Sequence, residues 1–423
     1  MKLRIIAITG MVVAAAVSTT TMTSSTASAA PRSAHGWSAS WASAMQRPTA
    51  GSDATDPNWS LDGFTNHTIR EVVRLSGGGS SVRIRLSNVY GTGPLAITGA
   101  TVAKTAAGAT VEPGTVRSLT FDGQRSTVIA AGRVEVSDSA SLHVTPLESL
   151  SVTLYLATVT GPSTFHEDGL TTTYRASGDH RSDIGGAAFA GETSHAYYYL
   201  TGVDVAGGGS RTTVVSFGDS ITNGHNSTVG GNDRYPDALA GRLVGAHRQM
   251  NVANLGISGN LLLSELPCFG PKGVNRFQRD ALAQPGVRTV ILLEGENDIW
   301  DSEANFRCGV TQRVTADELI AGYKTLIAAA HARGVRVIGV TIPPFKAPYM
   351  GAAEFDRAEA IREQVNTWVR TSGAYDGVAD FANAVADPAD PQQLNPMYNS
   401  GDFLHPNDAG YAALAASINV NEL

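Results

Sequence analysis

The sequence predicts two joined folds, an all-β sandwich followed by an α/β domain built on a parallel sheet. Three observations carry this. Residues 36–205 hold many short β-prone runs separated by Gly, Asp, Pro or Ser clusters. A run of small residues, Ala206-Gly207-Gly208-Gly209-Ser210, then reads as a flexible break. Beyond it, apolar strands alternate with helical patterns, which requires a parallel sheet covered on both faces.

In the first part, alternation is clearest at Ser81-Val82-Arg83-Ile84-Arg85-Leu86 and at Ser151-Val152-Thr153-Leu154-Tyr155-Leu156. Further β-prone runs lie at 68–75, 96–102, 118–121, 127–129, 133–136 and 171–175. Turns such as Gly77-Gly78-Gly79 and Asp122-Gly123 divide them into a sandwich with a jelly-roll-like character. In the second part, residues 211–423, strands are expected at 213–217, 250–254, 289–293, 335–341 and 377–381. Helices are expected at 235–247, 315–333, 355–372 and 408–418. Thr315 and Glu318 have the spacing of a capping box, and Gly334 supplies the stop for that helix.

The chain of 423 residues has a formal net charge of −7 and only 16% charged residues. That composition argues against disorder and against a phosphate-backbone or anionic-membrane partner. Residues 1–29 read as a secretory signal peptide: Lys2 and Arg4, an apolar run over 5–17, and Ala27-Ser28-Ala29 at the cleavage point. A membrane anchor would need roughly 20 apolar residues, so an exported protein without stable membrane insertion is expected. The two cysteines, Cys268 and Cys308, fit one disulfide in an oxidising compartment, worth ~3–4 kcal/mol in the chain-entropy model. Two free buried thiols are the alternative.

The chemistry is expected at Val214-Val215-Ser216-Phe217-Gly218-Asp219-Ser220. A buried strand that turns sharply at Gly-Asp-Ser delivers a serine to the carboxyl end of a parallel sheet, where a nucleophile can sit. A serine needs a base. Asp402-Phe403-Leu404-His405-Pro406 places an aspartate three residues before a histidine, close enough to accept the imidazole N–H and fix its tautomer. An oxyanion needs donors. Gly256-Ile257-Ser258-Gly259 follows the second strand and Glu294-Gly295-Glu296-Asn297-Asp298 follows the third. The N–H groups of Ser220 and Gly259 and the side chain of Asn297 could therefore form a three-donor hole.

These four blocks, in this order and spacing, resemble the SGNH or GDSL hydrolase superfamily over residues 211–420. The resemblance implies a flavodoxin-like α/β/α sandwich and ester hydrolysis without a cofactor. By position it implies Ser220 as nucleophile, His405 as base and Asp402 as its orienting carboxylate, with Gly259 and Asn297 completing the hole. The N-terminal β domain and the run 254–263 look most like secreted bacterial acylhydrolases similar to the xylanase-associated arylesterase group. There is no Gly-x-Ser-x-Gly elbow, no His-Glu-x-x-His and no paired Cys/His spacing for a metal.

The expected substrate is an ester, with an acylated glycan or an aryl ester in view; the oligomeric state stays open. Two other readings stand beside it. A lipase or phospholipase of the same superfamily would be expected to carry a large amphipathic lid, and none is visible. An inactive carbohydrate-binding relative would be free to lose members of the set that this chain retains whole. The remaining features have plainer readings. Trp37 and Trp41 fit the β core, and Tyr197-Tyr198-Tyr199 fits packing between domains. His166-Glu167-Asp168 fits a solvated turn, and Glu354 to Glu363 the solvated face of a helix. The loops 260–276 and 300–312 are expected to wall the substrate cleft.

Overall fold

A computed structural model of the chain describes residues 36–50, 57–209, 212–300 and 312–423. The expected signal peptide (residues 1–29) and Cys308, with the disulfide it would make, lie outside the described residues, as does most of the 300–312 loop.

The N-terminal region is a sandwich of two antiparallel sheets. One sheet has the order Ser38–Ala42, Leu200–Ala206, Gly79–Ser87, Ala140–Val144, with Val134–Val136 also on Gly79–Ser87. The other runs Glu192–Ser194, Thr173–Ser177, His67–Arg74, Ser149–Leu156, Gly99–Ala107, Thr110–Val111. Ile69, Val73, Val102, Val152 and Leu154 from one sheet meet Val82, Ile84, Leu86, Val203 and Val205 from the other in a single core. The alternation seen in the sequence is this inward face. The expected strand at 96–102 is divided in two: Leu95–Ile97 pairs with Thr127–Ile129, while Gly99–Ala107 joins the larger sheet.

The C-terminal region holds a five-stranded parallel sheet with the order Met250–Gly256, Thr212–Gly218, Val287–Leu293, Arg336–Val340, Gly377–Ala379. In chain order that is 2-1-3-4-5, the flavodoxin-like winding, with its switch point between the first and third strands. Along Thr212–Gly218, Val215 and Phe217 face one core and Val214 the other, so the strand reads as a continuous apolar run. Helices Tyr235–Gly245 and Asp408–Ser417 cover one face, and Ala316–His331 and Ala352–Thr371 the other. The capping box of Thr315 and Glu318 is present.

Residues from Gly36 onward form one compact unit. Ala39, Ala42 and Ala44 of the first strand region belong to the core of the α/β sheet, not of the sandwich. Ser76 Oγ donates to the carbonyl of Val252 at 2.8 Å, and Arg85 donates to Gln284 at 2.7 Å. The glycines expected to act as a flexible break pack closely: a side chain on Gly208 would run into the backbone of Gly78.

Three plain readings of the sequence need correcting. Tyr198 and Tyr199 are buried in the sandwich core, and only Tyr197 also reaches Arg234 of the α/β region. On the helix Ala352–Thr371, Glu359 and Arg362 are buried and paired at 2.6 Å, with Arg362 also donating to the carbonyl of Ile342. The Ile342 carbonyl and the Phe345 ring that meet Arg362 come from outside the helix, which helical periodicity cannot reveal. The third correction concerns His166, Glu167 and Asp168, which are buried rather than solvated and enter the site described next.

Candidate active site

Strand register builds the site. Gly218 pairs with Gly256 on one side and with Leu293 on the other. The turns that follow these three residues therefore leave the sheet at one edge, at the switch point where open α/β sheets bind ligands. The first turn carries Ser220, the second Gly259 and the third Asn297.

Ser220 opens the short helix Ser220–Asn223, and Asp219 caps it by accepting the N–H of Ile221 at 3.0 Å. Gly256 is required here, because the backbone of Asn223 occupies the space where a side chain would sit. Gly259 has φ +74 and faces the ring of Phe269, so both its conformation and its surroundings favour glycine. Asn297 Nδ2 donates to the carbonyl of Asn260 at 2.9 Å, which ties the third turn to the second.

The base arrives from the other end of the chain. His405 Nε2 lies 2.8 Å from Ser220 Oγ, and His405 Nδ1 lies 2.6 Å from Asp402 Oδ2. Asp402 Oδ1 also accepts the N–H groups of Leu404 and His405, at 2.9 and 2.8 Å. These bonds close the one-turn loop expected from the spacing, with Phe403 at φ 66 and Gly401 at φ 112 making the bend. Asn407 then caps the last helix by accepting the N–H of Gly410 at 3.0 Å.

Ser220 and His405 are only 7% and 9% exposed. Burial lowers the His405 imidazole from its ordinary value, against the opposing pull of the hydrogen bond to Asp402. Burial alone would raise Asp402. The hydrogen bond and charge of His405 and the two backbone N–H groups outweigh it and hold the carboxylate well below its usual range. The imidazole is thus free and its carboxylate partner ionised at neutral pH, the state a general base requires.

Several residues were given no role by the sequence. Arg276, fully buried on the helix Gly273–Asp280, donates to the carbonyls of Gly218 and Leu255 at 2.7 Å each. It also donates to Asn260 Oδ1 at 2.7 Å and to Glu294 Oε1 at 2.9 Å. One guanidinium therefore fastens all three strand ends. That helix occupies part of what the sequence suggested was a loop. Asp298 accepts the N–H groups of Leu262 and Leu263, at 2.6 and 2.9 Å. Asn226 Nδ2 donates to Asp402 Oδ2 at 2.8 Å.

The buried turn of the N-terminal region also reaches this site. His166 Nε2 lies 2.9 Å from Asn223 Oδ1, and Asn223 Nδ2 donates to the carbonyl of Asp168 at 2.8 Å. Asp168 Oδ2 accepts from Ser258 Oγ at 2.8 Å and lies 2.7 Å from His225 Nδ1. The only advance signal was the clustering of three polar residues at 166–168.

Beside Asp402, Tyr349 donates its hydroxyl to the Asp402 carbonyl at 2.9 Å and is 64% exposed. Its ring lies 6.5 Å from Phe403 and 6.3 Å from Trp300. Among the described residues no group of three or more His, Cys, Asp or Glu side chains could hold a metal ion. No helix among them is long and apolar enough to cross a membrane.

Residues 216–413 match the model of the GDSL-like Lipase/Acylhydrolase family. Among solved structures, the chain is similar to a GDSL-like lipase from Bacteroides thetaiotaomicron VPI-5482, at 16% identity over 49% of this chain and 85% of that one, with TM-score 0.34. It is also similar to an α/β hydrolase from the metagenome of Lake Arreo, Spain, at 21% identity over 49% and 93%, with TM-score 0.36. An acetyl xylan esterase matches at 18% identity over 48% and 96%, with TM-score 0.36. No curated protein matches the chain.

Proposed function

We propose that this chain, whose residues 216–413 match the model of the GDSL-like Lipase/Acylhydrolase family, is a carboxylic ester hydrolase that works as a secreted serine esterase. It cleaves short-chain acyl or aryl esters, on polysaccharide or related substrates, through an acyl-enzyme. The observation that carries the reading is the continuous relay from Ser220 Oγ through His405 to Asp402, at 2.8 and 2.6 Å.

In this reading His405 Nε2 takes the Ser220 proton as Oγ attacks the ester carbonyl. Asp402 keeps the other ring nitrogen protonated and stabilises the imidazolium. The N–H groups of Ser220 and Gly259 and the Asn297 amide receive the oxyanion. His405 returns its proton to the departing alcohol, and water repeats the cycle on the acyl-serine. The aromatic wall of Tyr349, Phe403 and Trp300 beside Asp402 supports a planar aryl group or a sugar face in the cleft. Export would place Cys268 and Cys308 in an oxidising compartment as one disulfide.

The test is a panel of initial rates on acetyl, butyryl and octanoyl p-nitrophenyl esters, acetylated xylan, methyl ferulate and a phospholipid, with wild type beside Ser220→Ala. Preference for short acyl chains, aryl esters or acetylated xylan, lost in Ser220→Ala, is the expected result. Preference for octanoyl ester or phospholipid would overturn the substrate class, and activity surviving in Ser220→Ala would overturn the mechanism.

A further inference from the structure

His225 and His405 stand edge to face beside the nucleophile, with ring centroids 4.7 Å apart and planes at 62°. His225 lies just beyond the short helix that Ser220 begins. Its Nδ1 is held by Asp168, a residue 5% exposed that belongs to the N-terminal region, not to the α/β domain. The same carboxylate oxygen accepts from Ser258 Oγ, next to Gly259 of the expected hole. The backbone that carries this carboxylate is held in place too: Asn223 donates to the Asp168 carbonyl, and Arg234 to the carbonyl of Gly169 at 3.3 Å.

We propose that Asp168 and His225 are positioning residues of the ester hydrolysis, Asp168 holding His225 as a cation against the ring of the base His405. This inference rests on the reading of His405 as that base. The chemistry follows from the distances. A cation beside the His405 ring disfavours the His405 imidazolium. The base therefore stays free at lower pH and becomes a stronger acid toward the leaving alcohol. The N-terminal region is then part of the catalytic apparatus and not an appended module.

The charged and titratable groups around His225 are consistent with this. Asp168 and Glu167 face it from the N-terminal turn, Asp402 and His405 from the loop before the last helix, and Tyr411 of that helix donates its hydroxyl to the His225 carbonyl. Burial would lower the His225 imidazole, but the hydrogen bond and charge of Asp168 outweigh it and raise it above its ordinary value. His405 is lowered, first by burial and further by His225. On acidification His225 is therefore already charged when His405 takes up its proton.

The experiment is the pH dependence of kcat/KM on a soluble p-nitrophenyl ester for wild type, His225→Gln, His225→Lys and Asp168→Asn, with Ser220→Ala as blank and circular dichroism on each. In His225→Gln the cation is lost while Asp168 remains, so the acid limb moves upward by about one pH unit. Asp168→Asn removes both charges of the pair and moves the limb in the same direction by less. His225→Lys keeps a cation there and leaves the limb near its wild-type position. An unmoved limb in a folded, active His225→Gln, or a Lys variant displaced as far as the Gln variant, overturns the proposal. If either His225 variant fails to fold, the Asp168→Asn limb decides. Wild-type rates no higher than the Ser220→Ala blank would instead sink the esterase reading on which it rests.

Discussion

Arg276 Nη2 donates to the carbonyl oxygen of Gly218 at 2.7 Å, two residues before Ser220. The same guanidinium holds Leu255, Asn260 and Glu294, so the geometry of the serine turn depends on a buried cation on a neighbouring helix.

Replacing Arg276 by Met should therefore be severe. It leaves Glu294 buried without its ion pair and removes the guanidinium's bonds to the Gly218 and Leu255 carbonyls. Removing one partner of a buried pair costs about 3–5 kcal/mol. Thermal unfolding should show a large fall in Tm together with loss of esterase activity.

The hole is tested by Asn297→Ala and Gly259→Ala. Losing the Asn297 amide should lower kcat by ~10²–10³ with little change in KM. At Gly259, φ +74 and the neighbouring Phe269 ring mean that an added methyl must displace the backbone N–H, so kcat should fall there too. A KM effect alone in either variant would place the residue in substrate binding instead.

Glu296 offers a stability test. Both of its carboxyl oxygens are buried with no hydrogen-bond partner among the described residues. Burial raises its carboxyl well above the ordinary value, with the charge of Asp219 adding to the effect. A raised acid favours the folded state while protonated, and that contribution is lost as pH rises through the folded-state value. Glu296→Gln should thus match wild type near pH 4 and unfold at a higher temperature near pH 8, by about 2–4 °C for each kcal/mol relieved.

Much of this was legible in the sequence. The Gly-Asp-Ser turn, the glycine turn at 256–259, Asn297 and the Asp402–His405 loop are local patterns, each recognisable within a few residues, and the structure brings them to one end of the sheet. Helix and strand positions were readable because their apolar periodicity is strong. Asp168, His225 and Arg276 were not readable, because their roles come from contacts between distant elements: Asp168 meets His225 across a sequence separation of 57 and Ser258 across 90. The buried pair of Glu359 and Arg362 looked like a solvated face for the same reason. The glycines after Ala206 looked like a tether because composition does not show what packs against them.

Asp402→Asn should slow turnover less than loss of Ser220 or His405 does. In wild type, kcat/KM should fall on acidification as His405 is protonated, with the midpoint below the ordinary imidazole value because burial lowers it. A rate unchanged between about pH 4 and 9 would contradict the base assignment.

If Ser220, activated by His405, forms the covalent acyl intermediate, it should also be the residue that an ester-mimicking phosphonate labels. Intact-protein and peptide mass spectrometry after treatment with a p-nitrophenyl alkylphosphonate tests it most directly. A single phosphonyl adduct is expected on the peptide containing Ser220, none on Ser220→Ala, and much slower labelling of His405→Ala. An adduct on another residue, or equal labelling of Ser220→Ala, would contradict it.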